Sequence, residues 1–548
     1  MFGILNSKSK TEKDVDTRIN RLVTLVVLDG FGVHPDSLGN AVLASKTPFL
    51  DTAWTYGKST LIHASGTHVG LPSEVAGNSE VGHLNLGAGQ VVYQSLPRIN
   101  EAIARRELEE NSVVAGMFDH IQKNGSRLHL VGVLSAAGVH GHIKHLFSIL
   151  ELCLAKGIDP FIHVILDGRD TAPNDGYWYL TKLKKKMEEL GIGHIASMMG
   201  RYYGMDRDSR WERTKLAYDS MVGLSSSRFV DPIKAIQDSY SQGITDQFFV
   251  PSVAVDSAGR LVGKVENSDA VLFWNFREDR ARQLTKAFVL EEWNNFVRRD
   301  FPENAYFVTM TGYEEGLPAK VIFPPNKVKL SLSEYLSTNG IKQLHVSETE
   351  KHMHVTYFFN GGIEQAHVGE DFFNIPSPRV NDYSIIPAMS AELIRDETVK
   401  RIKENSKFNY GFILLNFANP DMLGHTGNFR STIRGNEITD SCTADIAKAT
   451  LDMGGAVIIT ADHGNCETMI NRITKEVDIA HTNNPVPFTI LESKDQIVGK
   501  DGRSLVKIGT GESAKTTGIL ADVAPTVLGT MGVDLPDIMT GMDLNRVI

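Results

Sequence analysis

Short apolar runs that end abruptly in polar or charged residues recur along the chain. Leu22-Val23-Thr24-Leu25-Val26-Val27-Leu28 stops at Asp29-Gly30. A run apolar at successive positions predicts a strand covered on both faces, as in the parallel sheet of an α/β fold. Phe161 to Leu166 runs into Asp167-Gly168-Arg169-Asp170, and Ala270 to Phe273 leads to Trp274-Asn275-Phe276-Arg277. Gly411 to Leu415 continues to Asn416 and Asp421, and Ala456 to Thr460 reaches Asp462-His463-Gly464. Helical patterns lie between them, among them Trp178 to Leu190 and Glu392 to Glu404. The alternation predicts an α/β fold. In such sheets ligands collect just beyond the carboxyl ends of the strands, where these polar residues stand.

At 548 residues the chain exceeds one ordinary core. Gly87-Ala88-Gly89-Gln90 with Leu96-Pro97, and Phe323-Pro324-Pro325-Asn326, mark two crossings. They predict a domain of residues 93–325 inserted into a discontinuous one made of 1–92 and 326–548. Hydrophobic residues at 42% and charged residues at 22% fit a globular protein. The net charge of −10 gives no general attraction to nucleic acid or an anionic membrane, so phosphate binding would need a local cationic cluster. Cys153, Cys442 and Cys466 are too scattered for a disulfide framework and point to a reducing compartment, the cytoplasm. No apolar run approaches the ~18 residues of a membrane span. Met1 to Asn20 is polar with charges of both signs, which reads as a loose leader and not a secretory signal.

Several strand-end residues have the chemistry of metal ligands. Asp421 and His425 stand at i and i+4, so one helical turn would present both on one face. Asp462-His463, His481 and Asp29 complete a set of three Asp and three His without thiolate. Oxygen and imidazole donors suit Mn²⁺, Mg²⁺, Co²⁺ or Zn²⁺. Taken singly, each has an ordinary explanation: a strand-end Asp commonly caps a turn, and a lone His commonly hydrogen-bonds locally.

Ser79 lies in Gly77-Asn78-Ser79-Glu80-Val81-Gly82-His83, a segment able to open a helix. Unpaired N–H groups and the positive dipole end there would favour a phosphoryl group. A serine hydroxyl needs a base or a metal to become a nucleophile, and no base is close in sequence. The competing reading is a plain N-cap.

These segments resemble the cofactor-independent phosphoglycerate mutases. The resemblance rests on Val27-Leu28-Asp29-Gly30-Phe31-Gly32, the Ser79 segment, Gly138-Val139-His140 and Leu166-Asp167-Gly168-Arg169-Asp170. It continues through Gly200-Arg201-Tyr202-Tyr203-Gly204-Met205-Asp206-Arg207-Asp208, Asn275-Phe276-Arg277-Glu278-Asp279-Arg280 and Glu348-Thr349-Glu350-Lys351. Asn419-Pro420-Asp421-Met422-Leu423-Gly424-His425 and Thr460-Ala461-Asp462-His463-Gly464-Asn465 complete the family's order. It implies an α/β, alkaline-phosphatase-like three-layer domain with an inserted second α/β domain. Separately from the resemblance, a monomer is expected. The resemblance also implies two divalent metal ions, Mn²⁺ first, with no 2,3-bisphosphoglycerate. Asp421, His425 and His481 would hold one ion, and Asp29, Ser79, Asp462 and His463 the other. His140, Arg169, Asp170, Arg201, Arg207, Arg277, Arg280 and Lys351 would bind 3- or 2-phosphoglycerate.

In that reading Ser79 becomes a phosphoserine, Lys351 offsets phosphoryl charge, and Asp170 shuttles protons with His140 assisting. Arg213 and Arg298 are expected at the surface. Ser135-Ala136-Ala137-Gly138 and Gly141 depart from the family's pattern only beside His140, as does His352-Met353 after Lys351. A different alkaline-phosphatase-superfamily phosphomutase, phosphatase or sulfatase would share the metal residues without needing the arginines.

Overall fold

The computed structural model describes residues 21–325, 328–498 and 504–548; the polar leader lies outside these. The chain divides into two compact units, Met1–Val92 with Lys327–Ile548, and Tyr93–Asn326.

The first unit is built on an eight-stranded sheet. Its strands run in the order Glu370–Ile375, Lys342–Glu348, Tyr410–Phe417, Val23–Leu28, Ala456–Thr460, Val486–Leu491, Lys58–His63 and Thr516–Ile519. The first five are mutually parallel, and Val486–Leu491 is antiparallel to both neighbours. Every residue of Val23–Leu28, Tyr410–Phe417 and Ala456–Thr460 is buried, so both faces are covered, as the apolar runs require. The 24-residue helix Phe429–Asp452 packs on this centre through Thr24 and Thr450, whose hydroxyls lie 2.9 Å apart. Val27 pairs with both Asn416 and Thr460, so the three strands end nearly level. The sequence run at Gly411 to Leu415 proves shorter than the strand, because Tyr410, Asn416 and Phe417 also join the ladder.

The second unit has its own eight-stranded sheet, ordered Lys320–Phe323, Tyr306–Thr311, Ala270–Phe273, Leu128–Leu134, Phe161–Leu166, His194–Gly200, Ser252–Ala254 and Arg228–Phe229. All neighbours are parallel except His194–Gly200 with Ser252–Ala254. Helices Ser112–Asn124, Ile143–Ala155 and Gly176–Leu190 flank it. The two arginines expected at the surface have structural partners. Arg298 donates to the carbonyls of Ala287, Leu290 and Glu291 at 3.0, 2.7 and 3.0 Å. Arg213 stacks 3.7 Å from the Tyr202 ring centre. Among the described residues no helix is long and apolar enough to cross a membrane.

Close packing around helix Ser79–Ala88 makes one glycine indispensable. A Cβ on Gly87 would lie 1.9 Å from the backbone carbonyl oxygen of Phe359, an atom that cannot rotate away. Gly87→Ala is therefore expected to lose about 1–3 kcal/mol by overpacking. Urea denaturation would show this as a lower midpoint, whereas an unchanged midpoint would mean that the helix shifts freely.

Candidate active site

The central strands of the first unit deliver three aspartates to one edge. Asp29 follows Val23–Leu28 directly, and Asp462 lies two residues beyond Ala456–Thr460. Asp421 sits on the short helix Asn419–Gly424, which Pro420 opens, and His425 follows at its end. His481 arrives on a loop joined to Gly464 through the Thr482 N–H at 2.9 Å. The buried Glu467 ties this region together. It accepts from the N–H groups of Gly32 (3.1 Å) and Asn465 (2.9 Å), from the Asn484 amide (2.9 Å) and from the Thr482 hydroxyl.

Two groups with metal-ligand geometry result: Asp421, His425 and His481; and Asp29, Asp462 and His463. Within each, the ligand atoms lie within 4.8 Å of one another. The imidazoles show most clearly what the first group needs. His425 Nδ1 faces the Ile479 carbonyl at 2.8 Å and His481 Nδ1 faces that of Gly77 at 2.9 Å, so both Nδ1 atoms carry the hydrogen. Both Nε2 lone pairs then point at each other across 3.0 Å, and Asp421 Oδ1 lies 3.2 and 3.3 Å from them. Such converging acceptors require a shared cation or proton. In the second group Asp462 Oδ2 is buried without a hydrogen bond, although His83 Nδ1 is only 3.2 Å away. The hydrogen on that nitrogen is directed to the Ser79 carbonyl at 2.9 Å. The residues present thus fit divalent ions that take oxygen and imidazole ligands.

Lys351 Nζ sits between the groups, donating to Asp29 Oδ1 (2.6 Å), Asp421 Oδ2 (2.6 Å) and Ser79 Oγ (2.8 Å). Burial disfavours its charge, but Asp29 and Asp421 outweigh burial and hold the ammonium protonated well above the usual lysine range. Burial pushes the Asp421 carboxyl up, yet Lys351 and the His425 and His481 contacts bring it far below its ordinary range. Burial likewise opposes charge on His463, and Asp462 and Asp29 overcome it, pushing the imidazole to about 10. The Asp421 contact raises His425 as well.

Ser79 is not the cap of its helix. Asn78 has the extended backbone of an N-cap, and its Oδ1 accepts from Val81 N at 3.0 Å. Ser79 is therefore the first helical residue, with its hydroxyl left for other partners. Its Oγ lies 3.2 Å from Asp29 Oδ1 and 3.0 Å from His463 Nε2. The imidazole that meets it comes from 384 residues away.

In the second unit the other expected residues form a separate cluster. Arg201 is buried, and its Nη1 pairs with Asp167 and, at 2.6 Å, with Asp170 Oδ2. His140 Nε2 lies 3.8 Å from Asp170 Oδ2, and His140 Nδ1 lies 3.6 Å from Asp279 Oδ1. Asp279 also meets Arg207 Nη1 at 2.8 Å and Arg277 Nε at 3.4 Å. Arg280 donates to the Met205 carbonyl at 3.2 Å. Burial, then the charges of Arg201, Arg207 and Arg169, depress the Arg280 pKa, so Arg169 belongs to the same positive field. Burial and Arg201 lower His140 to about 4, leaving it a neutral imidazole at pH 7. A concentration of guanidinium groups of this kind suits a ligand with two anionic ends.

Sequence reasoning did not single out His83, Asn416, Asn465, Glu467, Asp167 or Asp279. His83 carried a readable signal, since it lies four residues after Ser79 on the same helix face. Asp279 lies between Arg277 and Arg280, where its pairing with Arg207 depends on tertiary contact.

A family model described as BPG-independent PGAM N-terminus matches residues 99–315. The 2,3-bisphosphoglycerate-independent phosphoglycerate mutase of Synechococcus sp. (strain JA-3-3Ab) is 45% identical over 524 residues, 95% of each chain. That of Clostridium perfringens (strain SM101 / Type A) is 43% identical over 95% of this chain and 98% of its own. The crystal structure of Leishmania mexicana phosphoglycerate mutase at low cobalt concentration is similar with a TM-score of 0.53 and 32% identity. That match covers 97% of this chain and 98% of the other.

Because His463 and His425 hold their protons above the ordinary histidine range, metal loading must expel protons. Adding Mn²⁺ to the chelator-stripped protein at pH 7 in weak buffer is expected to release about one proton or more per chain. Apparent affinity should then fall as pH drops. Loading without proton release would contradict the assignment of these imidazoles.

Proposed function

The chain belongs to the 2,3-bisphosphoglycerate-independent phosphoglycerate mutases and interconverts 3- and 2-phosphoglycerate, and we propose that it does so through a phosphoserine at Ser79. The observation that carries this reading is the position of Ser79 Oγ, in contact with Lys351, Asp29 and His463 beside both metal-ligand groups. Asp421, His425 and His481 hold one divalent cation, and Asp29, Ser79, Asp462 and His463 hold a second. Mn²⁺ is our first assignment, with Mg²⁺ and Zn²⁺ as alternatives; Co²⁺ also fits the donors, and cobalt is named with the Leishmania relative. Bound there, the cations supply Lewis acidity that lowers the pKa of the serine hydroxyl and offsets phosphoryl charge.

The protein's own groups do the rest. Ser79 Oγ attacks phosphorus, and the bond from phosphorus to the glycerate oxygen breaks. The Lys351 ammonium, 2.8 Å from Oγ, neutralises charge on the phosphoryl oxygens, and N–H groups at the start of helix Ser79–Ala88 add to it. Asp170 takes the proton of the neighbouring glycerate hydroxyl and passes it to the released oxygen, and the hydroxyl oxygen so deprotonated attacks the phosphoserine, freeing Ser79 Oγ. His140, neutral at pH 7, hydrogen-bonds to the glycerate. Arg169, Arg201, Arg207, Arg277 and Arg280 grip its anionic groups. Ser79 serves as the internal phosphoryl acceptor, so no 2,3-bisphosphoglycerate is needed. A plain phosphatase has no use for such a cluster, because its alcohol product leaves. Three buried free cysteines fit the reducing cytoplasm, and a monomer suffices for this scheme.

In an enolase-coupled assay without added 2,3-bisphosphoglycerate and with excess divalent metal, Ser79→Ala should lower kcat by about 10³-fold or more while the fold persists. Retained turnover would rule out the phosphoserine route. Asp279→Asn frees Arg207 and Arg277 and is expected to raise KM about tenfold with a smaller effect on kcat. Steady-state kinetics would contradict this if KM were unchanged.

A further inference from the structure

We infer that His83 and Asn416 form a positioning bracket dedicated to the second cation group, fixing Asp29 and Ser79 before any ion arrives. The inference rests on the two-cation reading above. His83 and Asn416 are both fully buried. The Asn416 side-chain amide donates to Asp29 Oδ2 at 2.8 Å and to His83 Nε2 at 3.1 Å. His83 Nε2 is thereby the acceptor, so the ring hydrogen is on Nδ1. That nitrogen lies 2.9 Å from the Ser79 carbonyl oxygen and 3.2 Å from Asp462 Oδ2. One continuous chain of hydrogen bonds therefore runs from Asp29 through Asn416 and His83 to the Ser79 carbonyl, with Asp462 Oδ2 lying alongside it.

The bracket is rigid for local reasons. Asn416 is fixed by the ladder of Tyr410–Phe417, opposite Val27 of the strand that ends at Asp29. His83 projects from the helix that begins at Ser79, and that helix packs against Asp462 where Gly82 leaves room. A Cβ on Gly82 would lie 2.6 Å from the Asp462 carbonyl oxygen. His83 makes no corresponding contact with the other group. His425 and His481 are oriented by the Ile479 and Gly77 carbonyls, and Asp421 Oδ1 by the Asn465 amide at 2.9 Å. Lys351 is shared, but these orienting contacts are separate, and loss of the bracket should weaken one cation and spare the other.

This selectivity distinguishes positioning from general stabilisation. The full chain, stripped with chelator and titrated with Mn²⁺ alone, should bind two equivalents by calorimetry and by loss of the free-ion electron paramagnetic resonance signal. In His83→Ala one equivalent should bind about 10- to 100-fold more weakly while the other keeps its wild-type affinity. His83→Asn, which keeps a donor near the Nδ1 position, should recover part of the loss. Asn416→Leu, of similar volume, should reproduce the selective weakening from the other end of the bracket, and circular dichroism would establish that each variant is folded. Two unchanged equivalents in both His83→Ala and Asn416→Leu, or equal weakening of both equivalents, would overturn the proposal while leaving the two-cation reading intact. A wild-type protein that binds fewer than two equivalents would instead overturn that reading and the proposal with it.

Discussion

Three carboxylates, those of Asp29, Asp421 and Asp462, are forced together at the carboxyl end of a sheet whose central strands are fully buried, and the rest of the site follows from that repulsion. Like charges a few ångströms apart in a dry environment repel by several kcal/mol at least. The Lys351 ammonium, two side-chain amides and the surrounding imidazoles offset part of it. The opposed Nε2 atoms of His425 and His481, both facing Asp421, call for a shared proton or cation to complete the compensation. In the proposed reading, a hydroxyl placed in this field at Ser79 serves as the nucleophile.

Such a concentration of charge persists only on a rigid frame. Hydrogen-bonded parallel strands with level ends provide it, and close backbone approach tightens it. Gly30, with a positive φ, lets the chain turn from Asp29 while Asp421 packs where a Cβ would lie 2.7 Å away. Glu467 holds the loops bearing His463 and His481 by accepting from four donors. The second unit applies the opposite sign with similar means: a cluster of arginines is held apart by Asp167, Asp170 and Asp279, with enough positive charge left for an anionic ligand. The two units thus carry clusters of opposite character.

Much of this was legible in the sequence because buried parallel strands are continuous apolar runs, and the residues that end them stand out. Val23–Leu28 and Ala456–Thr460 could be read almost to the residue. The ordered motifs identified the family. Contacts between distant segments could not be read in this way. The cap of the Ser79 helix proved to be Asn78, because both residues are good caps and only backbone geometry separates them. Asn416 looked like an ordinary strand-end polar residue, since its reach to Asp29 depends on the pairing register. Asp279 is one acidic residue among basic ones until tertiary packing sets it against Arg207.

The central claim is that Ser79 carries the phosphoryl group in transit. It is tested most directly by acid-quenching the metal-loaded enzyme during turnover of 3-phosphoglycerate and mapping covalent phosphate by peptide mass spectrometry. The account predicts phosphate on Ser79 and on no other residue. Phosphate found on a different side chain, with Ser79 unmodified, would contradict it.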